Sequence, residues 1–143
     1  MSKNLLDQLK ELTSVVADTG DLQAIKKFAP KDATTNPSLI STAAQMPEYR
    51  EILDETLLKA KKNAGAKATN AEILSSAYAS LAVSFGKRIL DIVPDRVSVQ
   101  ADPRLSHDTE GTIEQSRHLL NEFVKEGVSA ERVMIKIAST WEG

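Results

Sequence analysis

The chain has 143 residues, with 18 Lys and Arg against 20 Asp and Glu, a formal net charge of −2, two His and no Cys. A chain of this length can bury a core as one domain, but it cannot form a disulfide scaffold, a cysteine zinc site, a cysteine nucleophile or a three-histidine metal site. The near-neutral charge excludes the basic footprint of nucleic-acid-binding proteins, and no segment reaches the ~20 apolar residues of a membrane span. Because the N-terminus also lacks the apolar run of a signal peptide, we expect a cytoplasmic protein.

The spacing of apolar residues predicts helices and short strands that alternate after an extra N-terminal helix. In chain order, the predicted elements are a helix over 4–12, a strand over 14–18, a helix over 21–27, a strand over 32–35, helices beginning at 37 and at 47, a long helix over 69–89, a strand over 96–101, a helix over 108–126 and a strand over 133–137. Asp21 is the predicted cap of the second helix, and Pro37 and Pro47 occupy favoured first positions of helices. The last helix is predicted to turn Ile113, Leu120 and Phe123 inward.

Strands that alternate with helices, without the Asn-Gly signals of antiparallel hairpins, predict an α/β fold with a parallel sheet covered by helices. Right-handed crossovers bring the C-terminal ends of all four strands to one edge of such a sheet. Functional side chains of parallel α/β folds collect at this edge. The strand ends are therefore the predicted location of a functional site.

Polar residues occur at the ends of the four predicted strands: Asp18 at the first, Thr34 and Asn36 at the second, Gln100 at the third and Lys136 at the fourth. Lys136 is the most unusual, because apolar residues surround it in the sequence and lysine is almost never buried without a reason. Desolvation favours a neutral amine, which can attack a carbonyl to form a Schiff base. Two simpler interpretations are that Lys136 is solvated on an edge strand and that Asp18 only caps the next helix.

Several strings of this chain resemble the transaldolase family. The matching segments are 16–21, 32–40, 96–98, 104–106 and 135–143, and they occur in the family's order over the whole chain. The resemblance implies a (β/α)₈ TIM-barrel fold and transfer of a dihydroxyacetone unit in the pentose phosphate pathway. The donor would be a ketose phosphate, sedoheptulose 7-phosphate or fructose 6-phosphate, and the acceptor an aldose phosphate. No metal and no organic cofactor is implied, because the protonated imine is itself the electron sink.

The resemblance also implies a role for each of the five polar residues. Lys136 would form the Schiff base with the C2 carbonyl of the ketose, and Asp18 would take the C4 hydroxyl proton as the C3–C4 bond breaks. Asn36 and Thr34 would hydrogen-bond the bound dihydroxyacetone unit. Gln100 departs from the family, which usually has Glu at this position to relay protons through a water. Because Gln can hold the water but cannot transfer the proton, we expect slower imine formation.

Length is the second departure, because a (β/α)₈ barrel needs about 250 residues. We interpret residues 1–143 as the N-terminal half of a transaldolase-type barrel, a single domain or fragment with about four β/α units and the extra N-terminal helix. Alone, this chain should be inactive or weakly active. Its expected partners are sugar phosphates, together with the C-terminal half of the barrel or a second copy of the chain, and neither nucleic acid nor a membrane.

Three other interpretations remain open. A fructose-6-phosphate-aldolase-like lysine aldolase shares the fold and the lysine, and such aldolases carry Gln at the position of Gln100. A receiver-like signalling domain is also a small α/β unit with an Asp at a strand end. A half barrel without activity would act only as a structural or interaction fragment through an exposed sheet edge. In each of the barrel interpretations, Trp141 is expected to pack at the rim of the site.

Overall fold

A computed structural model describes residues 3–65 and 68–143, without the side chains of residues 63, 64, 71, 72 and 75. The strands are β1 Val16–Asp18, β2 Asp32–Thr34, β3 Val97–Gln100 and β4 Val133–Lys136. The helices are α1 Leu5–Leu12, α2 Leu22–Phe28, α3 Pro37–Ala44, α4 Arg50–Ala64, α5 Asn70–Leu90 and α6 Thr109–Lys125, with short 3₁₀ turns at Pro47–Tyr49, Pro103–Leu105 and Ala130–Arg132. No helix in these described ranges is long and apolar enough to cross a membrane.

The four strands form one parallel sheet in the order β1-β2-β3-β4. This confirms the prediction of an α/β fold with a parallel sheet. The sequential order excludes the receiver-like interpretation, because the doubly wound sheet of such domains places its first strand between the second and the third.

One face of the sheet is apolar and packs against the helices. Its residues come from every strand: Ala17, Ala33, Val97, Val99, Val133 and Ile135. Ile25 of α2, Ile89 of α5 and Phe123 of α6 are fully buried against this face. Burying apolar side chains of this kind contributes about 1.5–3 kcal/mol each. The helices are thereby held on one side of the sheet, which leaves the other side for polar residues.

Local sequence signals set where the helices begin. Asp21 caps α2 as predicted, since its Oδ1 accepts hydrogen bonds from the backbone N–H groups of Gln23 and Ala24. Tyr49, which is buried, donates its hydroxyl to the same Oδ1 at 2.9 Å. This hydrogen bond lowers the pKa of Asp21, and burial raises the pKa of Tyr49. This hydrogen bond therefore connects the first turn of α2 to the segment between α3 and α4, which contains Tyr49.

Helices α5 and α6 approach each other closely at Gly86. A Cβ atom at this position would lie 2.5 Å from Cζ of Phe123, well inside van der Waals contact. Only a residue without a side chain fits against the aromatic ring. This contact brings α6 onto the same layer as α5 and covers the centre of the apolar sheet face.

Two predictions about side-chain burial need correction. Ile113 does not face inward, since 39% of it is exposed, whereas Thr112 and Leu119 are buried on α6. The predicted inward positions of Phe123, which is fully buried, and of Leu120, which packs against the same core, are confirmed, so the prediction is wrong only at Ile113. Trp141 does not pack at a rim, because it is 99% exposed beyond the end of β4. The leucines of α1 form an apolar stripe as predicted, but none of its residues is buried.

Candidate active site

The second face of the sheet carries polar side chains near the C-terminal strand ends. Asp18, Thr34 and Ser98 lie in register across β1, β2 and β3, and Gln100 pairs with Lys136 across β3 and β4. The structure therefore brings four of the five predicted residues to one face. Ser98 was not predicted, although it lies two residues before Gln100 and period-two alternation puts both on the same side of the strand.

Lys136 is the last residue of β4, which forms one edge of the sheet. The sequence allowed either a desolvated or a fully solvated lysine. The structure shows a half-buried Lys136, between these two alternatives. Its backbone carbonyl accepts a hydrogen bond from Ala101 N–H at 2.9 Å, which ties the end of β4 to the end of β3. Within the described part of the chain, its amine takes part in no ion pair, so the nitrogen is available to a ligand.

Asp18 ends β1 and its side chain is exposed. The interpretation of Asp18 as a helix cap is wrong, because Asp21 performs that function. The turn between them lies against α3, since a Cβ on the buried Gly20 would meet the backbone oxygen of Leu39 at 2.9 Å. The carboxylate of Asp18 is thus left at the strand end, on the polar face.

Asn36 follows β2 and caps α3. Its Oδ1 accepts the backbone N–H of Leu39 at 2.9 Å, so the carbonyl half of the amide is occupied. The NH₂ half remains as a donor at the strand end. Two residues earlier, Thr34 has a buried Oγ1 without a hydrogen-bond partner among the described residues. Buried hydroxyls are normally satisfied, so this one marks a place where a ligand hydroxyl or a water would bind.

The segment after Gln100 is held by its own hydrogen bonds. Asp102 accepts from the backbone N–H and the Nε of Arg104, and the latter side-chain hydrogen bond is the main cause of its lowered pKa. Its carboxylate is therefore engaged, although it follows Gln100 by two residues. Tyr78 of α5 donates its hydroxyl to the backbone carbonyl of Gln100 at 2.9 Å. Burial raises the pKa of Tyr78 to about 12, with a further contribution from Asp102.

The chemical content of the polar face is one amine, one carboxylate, two hydroxyls and two amides. Over residues 3–65 and 68–143, no three His, Asp or Glu side chains cluster where they could hold a metal ion. A separate cleft of about 340 Å³ lies among α4, α5 and α6, and its lining includes Lys59, Lys87 and Glu126 but no residue of the polar face. An amine beside hydrogen-bonding groups can condense with a carbonyl compound, and a carboxylate that contacts the same compound can accept a proton.

Comparisons with known proteins identify the family of this chain. Residues 15–143 match the family model described as Transaldolase/Fructose-6-phosphate aldolase. The whole chain is 63% identical to a transaldolase of Trichormus variabilis and 59% identical to one of Methylococcus capsulatus, covering 43% and 44% of their lengths. It is 57% identical to a transaldolase of Gloeobacter violaceus, covering 37% of that protein. The chain thus spans about two fifths of these curated relatives, and it belongs to the transaldolase/fructose-6-phosphate aldolase family.

Proposed function

We propose that residues 1–143 form the N-terminal half of a transaldolase-type (β/α)₈ barrel and carry its Schiff-base lysine. Sequential parallel strands with their helices on one face are the arrangement of such a barrel opened along one side. The polar face would then be the inner wall. Its groups lie at the C-terminal strand ends, where TIM-barrel active sites are found.

The proposed reaction begins at Lys136. Its neutral amine adds to the C2 carbonyl of a ketose phosphate, and uptake of one proton with loss of one water leaves a protonated imine. Asp18 accepts the C4 hydroxyl proton as the C3–C4 bond breaks, so that an aldose phosphate leaves and the bond electrons form an enamine. The enamine then attacks the aldehyde of a second aldose phosphate, and Asp18 returns its proton to the new C4 oxygen. Addition of one water to the new imine then frees the lysine and releases one proton. Transfer of the three-carbon unit between sugar phosphates needs no net oxidation or reduction.

The remaining polar residues would position the three-carbon unit. The free NH₂ group of Asn36 and the unpartnered Oγ1 of Thr34 supply a donor and a hydroxyl for the hydroxyls of dihydroxyacetone. Gln100 lies opposite Lys136 in the register, where it would hold the water that enters and leaves during imine formation. The proposed location is the cytoplasm, with sugar phosphates as the partners.

The observation that carries this proposal is the placement of Lys136 on one face with Asp18, Thr34 and Gln100. It is tested by borohydride trapping with dihydroxyacetone or fructose 6-phosphate, followed by peptide mass mapping. We expect a reduced adduct on the peptide that contains Lys136. Lys136→Met should abolish the adduct, whereas the control Lys125→Met, on the exposed end of α6, should leave it unchanged. Absence of any adduct would contradict the proposal and favour an interaction fragment without catalytic activity.

A second candidate is a lysine aldolase that releases dihydroxyacetone instead of transferring it. Gln100 favours this candidate, because the family description covers both activities and Gln cannot relay a proton. Assays of fructose 6-phosphate with and without erythrose 4-phosphate separate the two. Product that forms only with erythrose 4-phosphate indicates transfer, and release of dihydroxyacetone without it indicates an aldolase.

A further inference from the structure

Tyr78 replaces a hydrogen bond that the sheet lacks at the end of β3. Along the β2 side, the carbonyl of Arg96 accepts from Ala33 N–H at 3.0 Å, and the carbonyl of Ser98 accepts from Thr35 N–H at 2.9 Å. Continued by two residues, the same ladder would pair the carbonyl of Gln100 with residue 37. That residue is a proline, which has no N–H to donate.

The carbonyl of Gln100 is instead satisfied from the helical layer. The hydroxyl of Tyr78, on α5, donates to it at 2.9 Å. A backbone carbonyl left without a donor costs free energy as it is removed from water, and this partly buried one is satisfied by the Tyr78 side chain. Proline at position 37 starts α3 and at the same time creates the need for an outside donor.

The peptide group between Gln100 and Ala101 also forms a hydrogen bond to β4, the strand that ends at Lys136. The N–H of Ala101 belongs to the peptide unit whose carbonyl is that of Gln100, and it donates to the carbonyl of Lys136 at 2.9 Å. The hydroxyl, the peptide group and the lysine carbonyl therefore form a continuous chain of hydrogen bonds. Hydrogen bonds in such chains polarise and strengthen one another.

We propose that Tyr78 is a positioning residue for Lys136, which it acts on through the peptide between Gln100 and Ala101. The inference rests on the proposed function, because it assumes that Lys136 forms the imine. Tyr78 itself does not reach the ligand: it lies on the helical layer and fixes the distance between the ends of β3 and β4. Its raised pKa of about 12 keeps the hydroxyl protonated, and thus a donor, throughout the neutral range.

The test compares Tyr78→Phe with Tyr49→Phe in the whole chain. Both variants keep a half-buried or buried ring and lose only a hydroxyl, but the hydroxyl of Tyr49 bonds to Asp21 at the start of α2. The first readout is the rate of borohydride-trapped adduct on Lys136 against dihydroxyacetone concentration. The second is hydrogen exchange of the Ala101 amide.

We expect Tyr78→Phe to lower the plateau trapping rate by roughly tenfold, since small misplacements of a reacting group cost rates of this order. The half-saturating concentration of dihydroxyacetone should stay the same, and the Ala101 amide should exchange faster. Tyr49→Phe should leave the plateau rate unchanged, and it should speed exchange at Ala101 no more than its loss of global stability requires. A plateau rate for Tyr78→Phe within twofold of the unsubstituted chain would overturn the inference, as would unchanged exchange at Ala101.

Failure of the proposed function gives a different result. If the unsubstituted chain forms no adduct, the Schiff-base proposal fails. Hydrogen exchange at Ala101 then decides by itself whether Tyr78 stabilises the pairing of β3 with β4. If Tyr78→Phe does not fold, Tyr78→Met replaces it, because methionine is an adaptable apolar side chain without a hydrogen-bond donor for the Gln100 carbonyl. The same two readouts and the same deciding outcomes then apply.

Discussion

At the scale of single residues, one side chain, that of Asn36, caps a helix and is also proposed to bind the ligand. Its Oδ1 caps α3, and only its NH₂ group is left to meet a ligand. Substitutions can separate these functions, because Ser also caps helices well but Ala does not. Asn36→Ser should therefore change only the proposed ligand contact, whereas Asn36→Ala should change both this contact and the helix cap.

We expect Asn36→Ser to retain the stability of the chain and Asn36→Ala to lose about 1 kcal/mol. Both variants should raise the half-saturating dihydroxyacetone concentration by about five- to tenfold, the worth of one lost hydrogen bond. Urea unfolding and borohydride trapping measure the two effects. Normal half-saturation in Asn36→Ser would show that the amide does not bind the ligand.

Gln100 is the second residue whose chemistry can be tested by one substitution. Gln100→Glu adds a group that accepts and releases protons opposite Lys136. We expect the trapping rate to rise, by up to about 10²-fold, since general acid–base help contributes on that order or more. The rise should appear above the pKa of the new carboxyl and vanish at lower pH. An unchanged rate over the pH range would show that proton relay at this position does not limit imine formation.

The positions of the candidate residues on the sheet were more predictable from the sequence than their burial. Asp18, Thr34, Gln100 and Lys136 follow from strand alternation, and the register places them on one face. The half-burial of Lys136 could not be predicted, because it depends on neighbours across the sheet and on the position of β4 at its edge. The exposure of Trp141 could not be predicted either, because no local pattern shows whether another element covers a residue that follows a strand.

At the scale of elements, the start of α2 should be sensitive to acid. The folded-state pKa of Asp21 is lowered, first of all by the hydroxyl of Tyr49. A carboxyl of this kind stabilises the fold above its unfolded pKa, near 3.8, and this contribution is lost as the pH falls through the lower folded value.

We expect Tyr49→Phe to reduce the free energy of unfolding at pH 7 by about 1–2 kcal/mol, through loss of a buried hydrogen bond to a charged group. Between pH 5 and 2 the variant should lose less stability than the unsubstituted chain, because its Asp21 pKa is lowered less. Urea unfolding across this pH range is the measurement. Parallel pH curves for the two proteins would contradict the assigned cause.

The contact between α5 and α6 gives a prediction about packing. Gly86→Ala places a methyl group within 2.8 Å of two ring atoms of Phe123, so the helices must separate or the ring must turn. We expect a loss of about 1–3 kcal/mol, as for other overpacked cores. Thermal or urea unfolding measures it.

A double variant provides the control for this packing contact. Phe123→Leu removes the ring atoms that the new methyl group would meet. The combined cost of Gly86→Ala and Phe123→Leu should therefore be smaller than the sum of the two single costs. Simple additivity would mean that the methyl group meets some other neighbour.

Elements were predictable where the chain itself supplies the signal. Asp21 and Pro37 mark helix starts by their own backbone and side-chain preferences, and the structure begins α2 and α3 there. On α6 the inward position of Phe123 was predicted correctly and that of Ile113 was not, because the apolar pattern alone does not show how far along the helix the packing against α5 and β4 extends. The alternation that predicted four strands is local, whereas the face that each helix turns inward is not.

At the scale of the whole molecule, the two side chains that are proposed to react lie on opposite outer strands. Lys136 is on β4 and Asp18 on β1, three strand spacings apart. At about 4.8 Å per spacing, a flat sheet would separate them by about 14 Å, which is far more than the span from C2 to C4 of a sugar. The curvature of a closed barrel would bring them together.

We therefore expect the chain alone to form the dihydroxyacetone adduct at Lys136 but to cleave fructose 6-phosphate very slowly. Adduct formation needs only the lysine end of the sheet, whereas cleavage also needs Asp18. Coupled detection of released glyceraldehyde 3-phosphate, beside trapping on the same sample, compares the two steps. Asp18→Asn should leave the adduct unchanged. Cleavage as fast as trapping would show that the strands already bring both groups to one substrate.

The polar face of the sheet also affects how a protein of this kind folds during translation. Most parallel sheets need cover on both sides, but here polar residues line one side, and only Val16 and Met134 leave about half of an apolar side chain exposed on it. The helices can therefore collapse onto the apolar side without waiting for a second layer. In longer members of this family, we expect the corresponding segment to reach its native arrangement on the ribosome, while translation of the following residues is still under way.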